Sequence, residues 1–184
     1  MSELMKTANR VDDLYHVPEN GKAELVNGEL VFMSPTGDLP SSAGGAIYAS
    51  LRQYQRTVGG GRAYADNTGF TVSLPHRKSF SPDAAFHGGT KRSMKLVEGA
   101  PIFAAEVRSE NDYGPTAEEE MARKRADYFA ASTLVVWDVD LLGDDVVRVH
   151  RAGSAEPTIY RRGEVAEAEP AVPGWRLPVD ELFE

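Results

Sequence analysis

Two acidic residues sit where acids are unusual. Asp83 falls inside a β-prone run at residues 80–86, and Glu106 closes the run Ile102-Phe103-Ala104-Ala105-Glu106-Val107. A carboxylate pressed toward an interior is costly unless it is paired or bound to a cation. Two carboxylates at the ends of adjacent strands can hold Mg²⁺, a hard ion that takes oxygen ligands and keeps several waters. Such an ion polarises a phosphodiester and lowers the pKa of a bound water. Strand alternation puts Arg108 on the same face as Glu106, with Val107 opposite. A guanidinium there would stabilise the charge of a pentavalent phosphate. A plainer account stands beside this one: Asp83 closes a turn after Pro82, and Glu106 is ion-paired with Arg108 or another arginine.

Other chemistries find less support. There are no cysteines, which excludes disulfides, thiol nucleophiles and Cys-ligated zinc and suits a reducing cytoplasm. The four histidines, His16, His76, His87 and His150, are scattered without metal-ligand spacing and read as surface or loop residues. No G-x-S-x-G elbow exists, and Gly59-Gly60-Gly61 lacks the Lys-Ser/Thr of a phosphate-binding loop. Arg123, Lys124 and Arg125 could contact the phosphates of a nucleic acid, or pair along the helix with Glu118, Glu119 and Glu120. Lys91, Arg92 and Lys95 read as a solvated loop.

The elements that must position these residues are legible in outline. Asn27-Gly28, between two runs rich in Leu and Val, predicts a hairpin over residues 23–33. Ile47, Leu51, Tyr54 and Val58 are spaced for one face of a helix over 42–58. Alternation predicts a strand over 70–74, and further strands are expected over 80–86 and 102–107. A helix is expected over 117–131, with Thr116 and Glu119 as a capping box and three glutamates in its first turn. Strands at 133–139 and 146–150 follow. The tail Pro173-Gly174-Trp175-Arg176-Leu177 reads as a docking segment anchored by Trp175. Phe32, Phe70, Phe103 and Trp137 are expected in the core. The order implies an α/β (α+β) fold, a mixed sheet with helices against it and a hairpin at the N-terminal side.

The bulk numbers agree with one domain. The chain has 184 residues, 41% hydrophobic and 26% charged, ordinary for a globular protein. Residues 1–20 read as an N-terminal extension with no apolar run of the kind that begins a secretory signal. No window approaches a membrane span. The formal net charge is −8, so a nucleic-acid ligand requires the basic residues to gather on one face.

At this point the motifs resemble a known family. Pro82-Asp83 followed by Glu106-Val107-Arg108 is similar to the PD-(D/E)XK nuclease signature. More narrowly, the chain resembles the bacterial Uma-type (Uma-two) restriction endonucleases. The matching pieces run in family order: Glu24-Leu25-Val26-Asn27-Gly28-Glu29-Leu30, Met33-Ser34-Pro35-Thr36-Gly37, Ser81-Pro82-Asp83-Ala84-Ala85-Phe86 and Glu106-Val107-Arg108-Ser109, then Lys124 with Tyr128, Val136-Trp137-Asp138-Val139 and the Trp175 tail. The histidine that many members carry after Ser-Pro-Thr-Gly is absent here, and the loop at 110–115 lacks the commoner Ser-Pro-Ser start.

The resemblance implies a restriction-endonuclease-like fold with Asp83 and Glu106 as Mg²⁺ (or Mn²⁺) ligands, joined by the Val107 carbonyl. Arg108 occupies the lysine position of the signature. The resemblance implies that the active-site lysine has moved to the following helix as Lys124, in a Lys-x-x-x-Tyr pattern with Tyr128. At about 100° per residue the two lie roughly 40° apart, although Arg125 is nearer the centre of the apolar stripe of Met121, Tyr128 and Phe129. Glu24 matches an acid that often completes such sites. The implied activity is Mg²⁺-dependent hydrolysis of DNA, with a homodimer that would cut both strands. The alternatives are a nuclease-fold module without catalysis, binding nucleic acid or a protein, and metal-dependent hydrolysis of a small phosphate ester.

Overall fold

The computed structural model describes residues 8–18, 21–89 and 91–184. Of the expected extension at 1–20, residues 1–7, 19 and 20 lie outside the described residues, and Val11–His16 forms a 3-10 turn. The hairpin is present as β1 (Ala23–Val26) and β2 (Glu29–Phe32). Asn27 and Gly28 both take positive φ, 50° and 73°, which the tight two-residue turn requires.

Helix α1 (Asp38–Thr57) follows, then β3 (Arg62–Ala65), β4 (Phe70–Thr71), β5 (Ser79–Phe80), β6 (Ala84–His87), β7 (Val97–Glu98) and β8 (Phe103–Val107). Helix α2 (Pro115–Ala130) crosses over to β9 (Val135–Val139), followed by β10 (Val147–Arg151), β11 (Thr158–Tyr160), β12 (Val165–Glu167), β13 (Arg176–Pro178) and a 3-10 turn at Val179–Phe183. Six strands form the main sheet in the order β11-β10-β9-β8-β6-β3. The β8–β9 pair is parallel and the others are antiparallel, so the sheet is mixed. Among the described residues no helix is long and apolar enough to cross a membrane.

Alternation along β8 divides the core. Phe103, Ala105 and Val107 face a cluster that includes Ile47 and Leu51 of α1, Trp137 and Trp175. Ala104 faces the other way, into a smaller cluster of Phe70, Phe80, Ala85, Tyr128 and Val136 beneath α2. Glu106 shares that second face by the same period of two. Trp175 anchors the tail as expected: it stacks on Trp137 at 5.0 Å and its indole N–H donates to Ser50 Oγ at 3.0 Å.

Several expected boundaries are corrected. The strand expected over 80–86 is two strands, because Pro82 has no N–H to give a ladder. Asp83 therefore stands at the entrance to β6 rather than inside a strand, its N–H donating to Ala105 O at 3.0 Å. The strand expected over 70–74 shrinks to Phe70–Thr71. Thr116 and Glu119 form no capping box: Gly114 is the N-cap and Pro115 takes the first helical position, where its missing N–H is harmless. Helix α1 begins four residues early, at Asp38, and Val58 falls past its end and is exposed. Phe32 is 57% exposed, because β2 is the outer strand of a two-stranded ribbon. His87 and His150 lie in β6 and β10, not in loops.

Candidate active site

Antiparallel register sets Ala84 against Ala105, so Asp83 and Glu106, one step further, meet at the same end of β6 and β8. Asp83 Oδ2 accepts the Val107 N–H at 2.7 Å, which pins this carboxylate to the main chain beside Glu106. Helix α1 passes close here: a Cβ built on Gly44 would lie 3.5 Å from the Asp83 Cβ, so side chains larger than alanine would press on the acid.

Helix α2 delivers the next two groups. Residues four apart share a helix face, and both Lys124 and Tyr128 reach Glu106. Lys124 Nζ donates to Glu106 Oε2 at 2.9 Å, and the Tyr128 hydroxyl donates to Oε1 at 2.6 Å. Tyr128 is fully buried and stacks on Phe80 with ring centroids 3.9 Å apart. Arg77 lies over the Phe80 ring at 4.9 Å.

The hairpin supplies the third side. Glu24 is buried, and its Oε1 takes both the Ser81 N–H at 2.8 Å and Lys124 Nζ at 2.9 Å. Its Oε2 takes Arg77 at 2.5 Å, and Arg77 Nε reaches Asp127 at 2.8 Å. Lys22 joins the site with Nζ 2.9 Å from Asp83 Oδ1 and 2.7 Å from Asp66 Oδ1.

Glu24, Asp83, Glu106, Lys124 and Tyr128 are therefore brought together. Arg108 is close in sequence, but its guanidinium is engaged elsewhere. It makes two 2.7 Å bonds to the buried Asp138, and it pairs with Glu118. Arg123 points outward and pairs with Glu119 at 3.0 Å. Arg125 is half-buried, and burial works against its charge, opposed by Asp138 and Glu118. Lys91, in the loop cluster, pairs with exposed Glu98. Sequence reasoning missed Lys22, Asp66 and Arg77. Lys22 had a signal, since it lies two residues before Glu24 and so on the same face of the hairpin. Asp66 and Arg77 had none, because only tertiary packing brings them here.

The electrostatics follow from this crowding. Burial raises Glu106 above the ordinary carboxylate value, with Asp83 and Glu24 adding to the rise against Lys124. Burial would also raise Glu24, but Lys124 and Arg77 outweigh it and hold Glu24 low. Burial opposes the Lys124 charge, yet Glu106 and Glu24 prevail and keep it protonated well above neutral pH. Carboxyl ¹³C NMR should find Glu106 titrating above 4.5 in the metal-free protein and titrating lower in Asp83→Asn, which removes a like charge. A Glu106 midpoint unmoved by that substitution would contradict the described proximity.

The donor chemistry fits a hard divalent ion. Leaving His76 aside, the linked carboxylates Glu24, Asp66, Asp83, Glu106 and Asp127 outnumber the cations Lys22, Arg77 and Lys124 by two. No group of three or more His, Cys, Asp or Glu among the described residues is arranged to hold a metal, and the donors that meet where β6 and β8 end are the two carboxylates of Asp83 and Glu106. Carboxylate oxygens are the donors that hard divalent ions take, whereas zinc sites draw chiefly on nitrogen and sulfur.

The Uma2 family profile, described as "Putative restriction endonuclease", matches residues 10–180. Among solved structures, a protein from Anabaena variabilis described as "a putative nuclease belonging to DUF820" shares the fold. Its TM-score is 0.73, over 94% of this chain and 96% of that one, at 15% sequence identity. No curated protein matches the chain.

Proposed function

The chain belongs to the Uma2 family, and on that premise we propose that it is a Mg²⁺- or Mn²⁺-dependent endonuclease that hydrolyses phosphodiester bonds in DNA. The observation that carries this reading is that residues far apart in the chain come together: Asp83 is bonded to the Val107 N–H beside Glu106, and Lys124 rests on Glu106.

In this reading Asp83, Glu106 and the Val107 carbonyl would hold the ion. When bound, the ion would supply Lewis-acid polarisation of the phosphate. Glu106 and Glu24 hold Lys124 in its charged form, and its ammonium is a hydrogen-bond donor within the site. It orients the attacking water and offsets charge that develops on the phosphate. Glu24 and Tyr128 fix its geometry, Glu24 from the far side of the ammonium and Tyr128 through the shared carboxylate of Glu106. Arg108 steadies the phosphate with the edge of its guanidinium that now meets Glu118. That partner is 54% exposed, whereas Asp138, at 9%, holds the buried edge. Arg123 and Arg125 contact flanking phosphates from α2. A homodimer would present one such site to each strand.

The test is cleavage of supercoiled plasmid by purified protein. Nicked or linear product should form with Mg²⁺ or Mn²⁺ and vanish when EDTA removes the ion. Intact plasmid at millimolar levels of both metals would overturn the catalytic reading. One observation favours a second reading, a nuclease-fold module without catalysis: ammonium groups already rest on both Asp83 and Glu106. Plasmid retention on a gel without cleavage would support that module.

A further inference from the structure

We propose that Lys22 is a displaceable counter-ion of Asp83, which a divalent cation must push aside, and that Asp66 is the berth to which it moves. The inference rests on the reading that Asp83 holds the metal.

The two lysines of the site are held differently. Lys124 lies between Glu24 and Glu106, whose side chains are 4% and 26% exposed, and both pairs are anchored by further bonds from Ser81, Arg77 and Tyr128. Lys22 lies between unequal partners. Asp83 is 13% exposed and fixed by the Val107 N–H, while Asp66 is 41% exposed at the rim beyond β3. The Lys22 ammonium already touches both carboxylates, at 2.9 Å and 2.7 Å, so releasing Asp83 needs only side-chain rotation toward Asp66.

The charge argument points the same way. A dication on Asp83 within a few ångströms of an ammonium repels it strongly in a half-buried setting. While it stays in place, the Lys22 ammonium partly neutralises Asp83 through their direct 2.9 Å contact. Lys22 would thus keep the metal-free site from holding uncompensated acids and would set a threshold for metal entry.

Calorimetry with Mn²⁺ tests this without measuring activity. Lys22→Met keeps the aliphatic stem and removes the charge, and it should bind Mn²⁺ at least about tenfold tighter than wild type. Lys22→Arg retains the charge and should stay near wild type, which a purely steric role for the side chain would not predict. Asp66→Asn should weaken binding when Lys22 is present, because the ammonium then leans wholly on Asp83. The same substitution should have a smaller effect in the Lys22→Met background, the coupling expected of partners in contact. Lys22→Gln substitutes if the methionine variant does not fold. If wild type binds Mn²⁺ and Asp83→Asn does not, yet removing the Lys22 charge leaves affinity unchanged or weaker, this proposal alone is overturned. If wild type binds no Mn²⁺, the metal reading and this proposal fall together.

Discussion

Lys124→Ala is expected to slow plasmid cleavage by about a hundred- to a thousandfold, the usual effect of removing one preorganised donor to developing charge. The ammonium is held by two carboxylates, so the substitution takes away the cation that rests on Glu106. The fold should survive, because Glu24 keeps Arg77 and the Ser81 N–H, and Glu106 keeps Tyr128. Thermal melts beside single-turnover kinetics separate the two effects. Lys124→Arg should rescue little, since a planar fork cannot replace a compact ammonium between two fixed acids. A loss of less than about tenfold would remove Lys124 from the chemistry.

The second large effect concerns stability. Asp138→Ala leaves the Arg108 guanidinium buried with only the half-exposed Glu118 as partner. Breaking one side of a buried, doubly bonded pair costs about 3–5 kcal/mol. For a domain of this size that lowers Tm by about 10 °C. Glu118→Ala should cost less than about 1 kcal/mol by comparison, because its carboxylate is largely in water. Register places Asp138 directly beside Glu106 in the sheet, so loosening it should also blur the site. A Tm within a degree or two of wild type for Asp138→Ala would show that Arg108 finds other partners.

Much of this architecture could be read from residue order. The Asn27-Gly28 turn marked the hairpin, and unbroken apolar runs marked β8 and β9 because both are covered on each face. The pairing of Asp83 with Glu106 was within reach because both sit at strand ends. Lys124 was not visible to periodicity. Its helix buries only Tyr128 outright, so the apolar stripe is thin, and Arg125 lies nearer its centre than the lysine that reaches Glu106. The short strands β7, β11, β12 and β13 have two or three residues each, too few for alternation to register. The break at Pro82 did carry a signal, the missing N–H, which the neighbouring apolar residues outweighed. Contacts such as Lys22 with Asp66 arise from chain segments that meet only in the folded molecule.

Asp83 and Glu106 are proposed to share one divalent ion. An anomalous difference map from crystals grown with Mn²⁺ addresses it directly. One peak is expected at about 2.1 Å from an oxygen of each carboxylate, the spacing that hard octahedral ions adopt. A map without a peak between those two residues at millimolar Mn²⁺, or with the ion bound elsewhere, would contradict it.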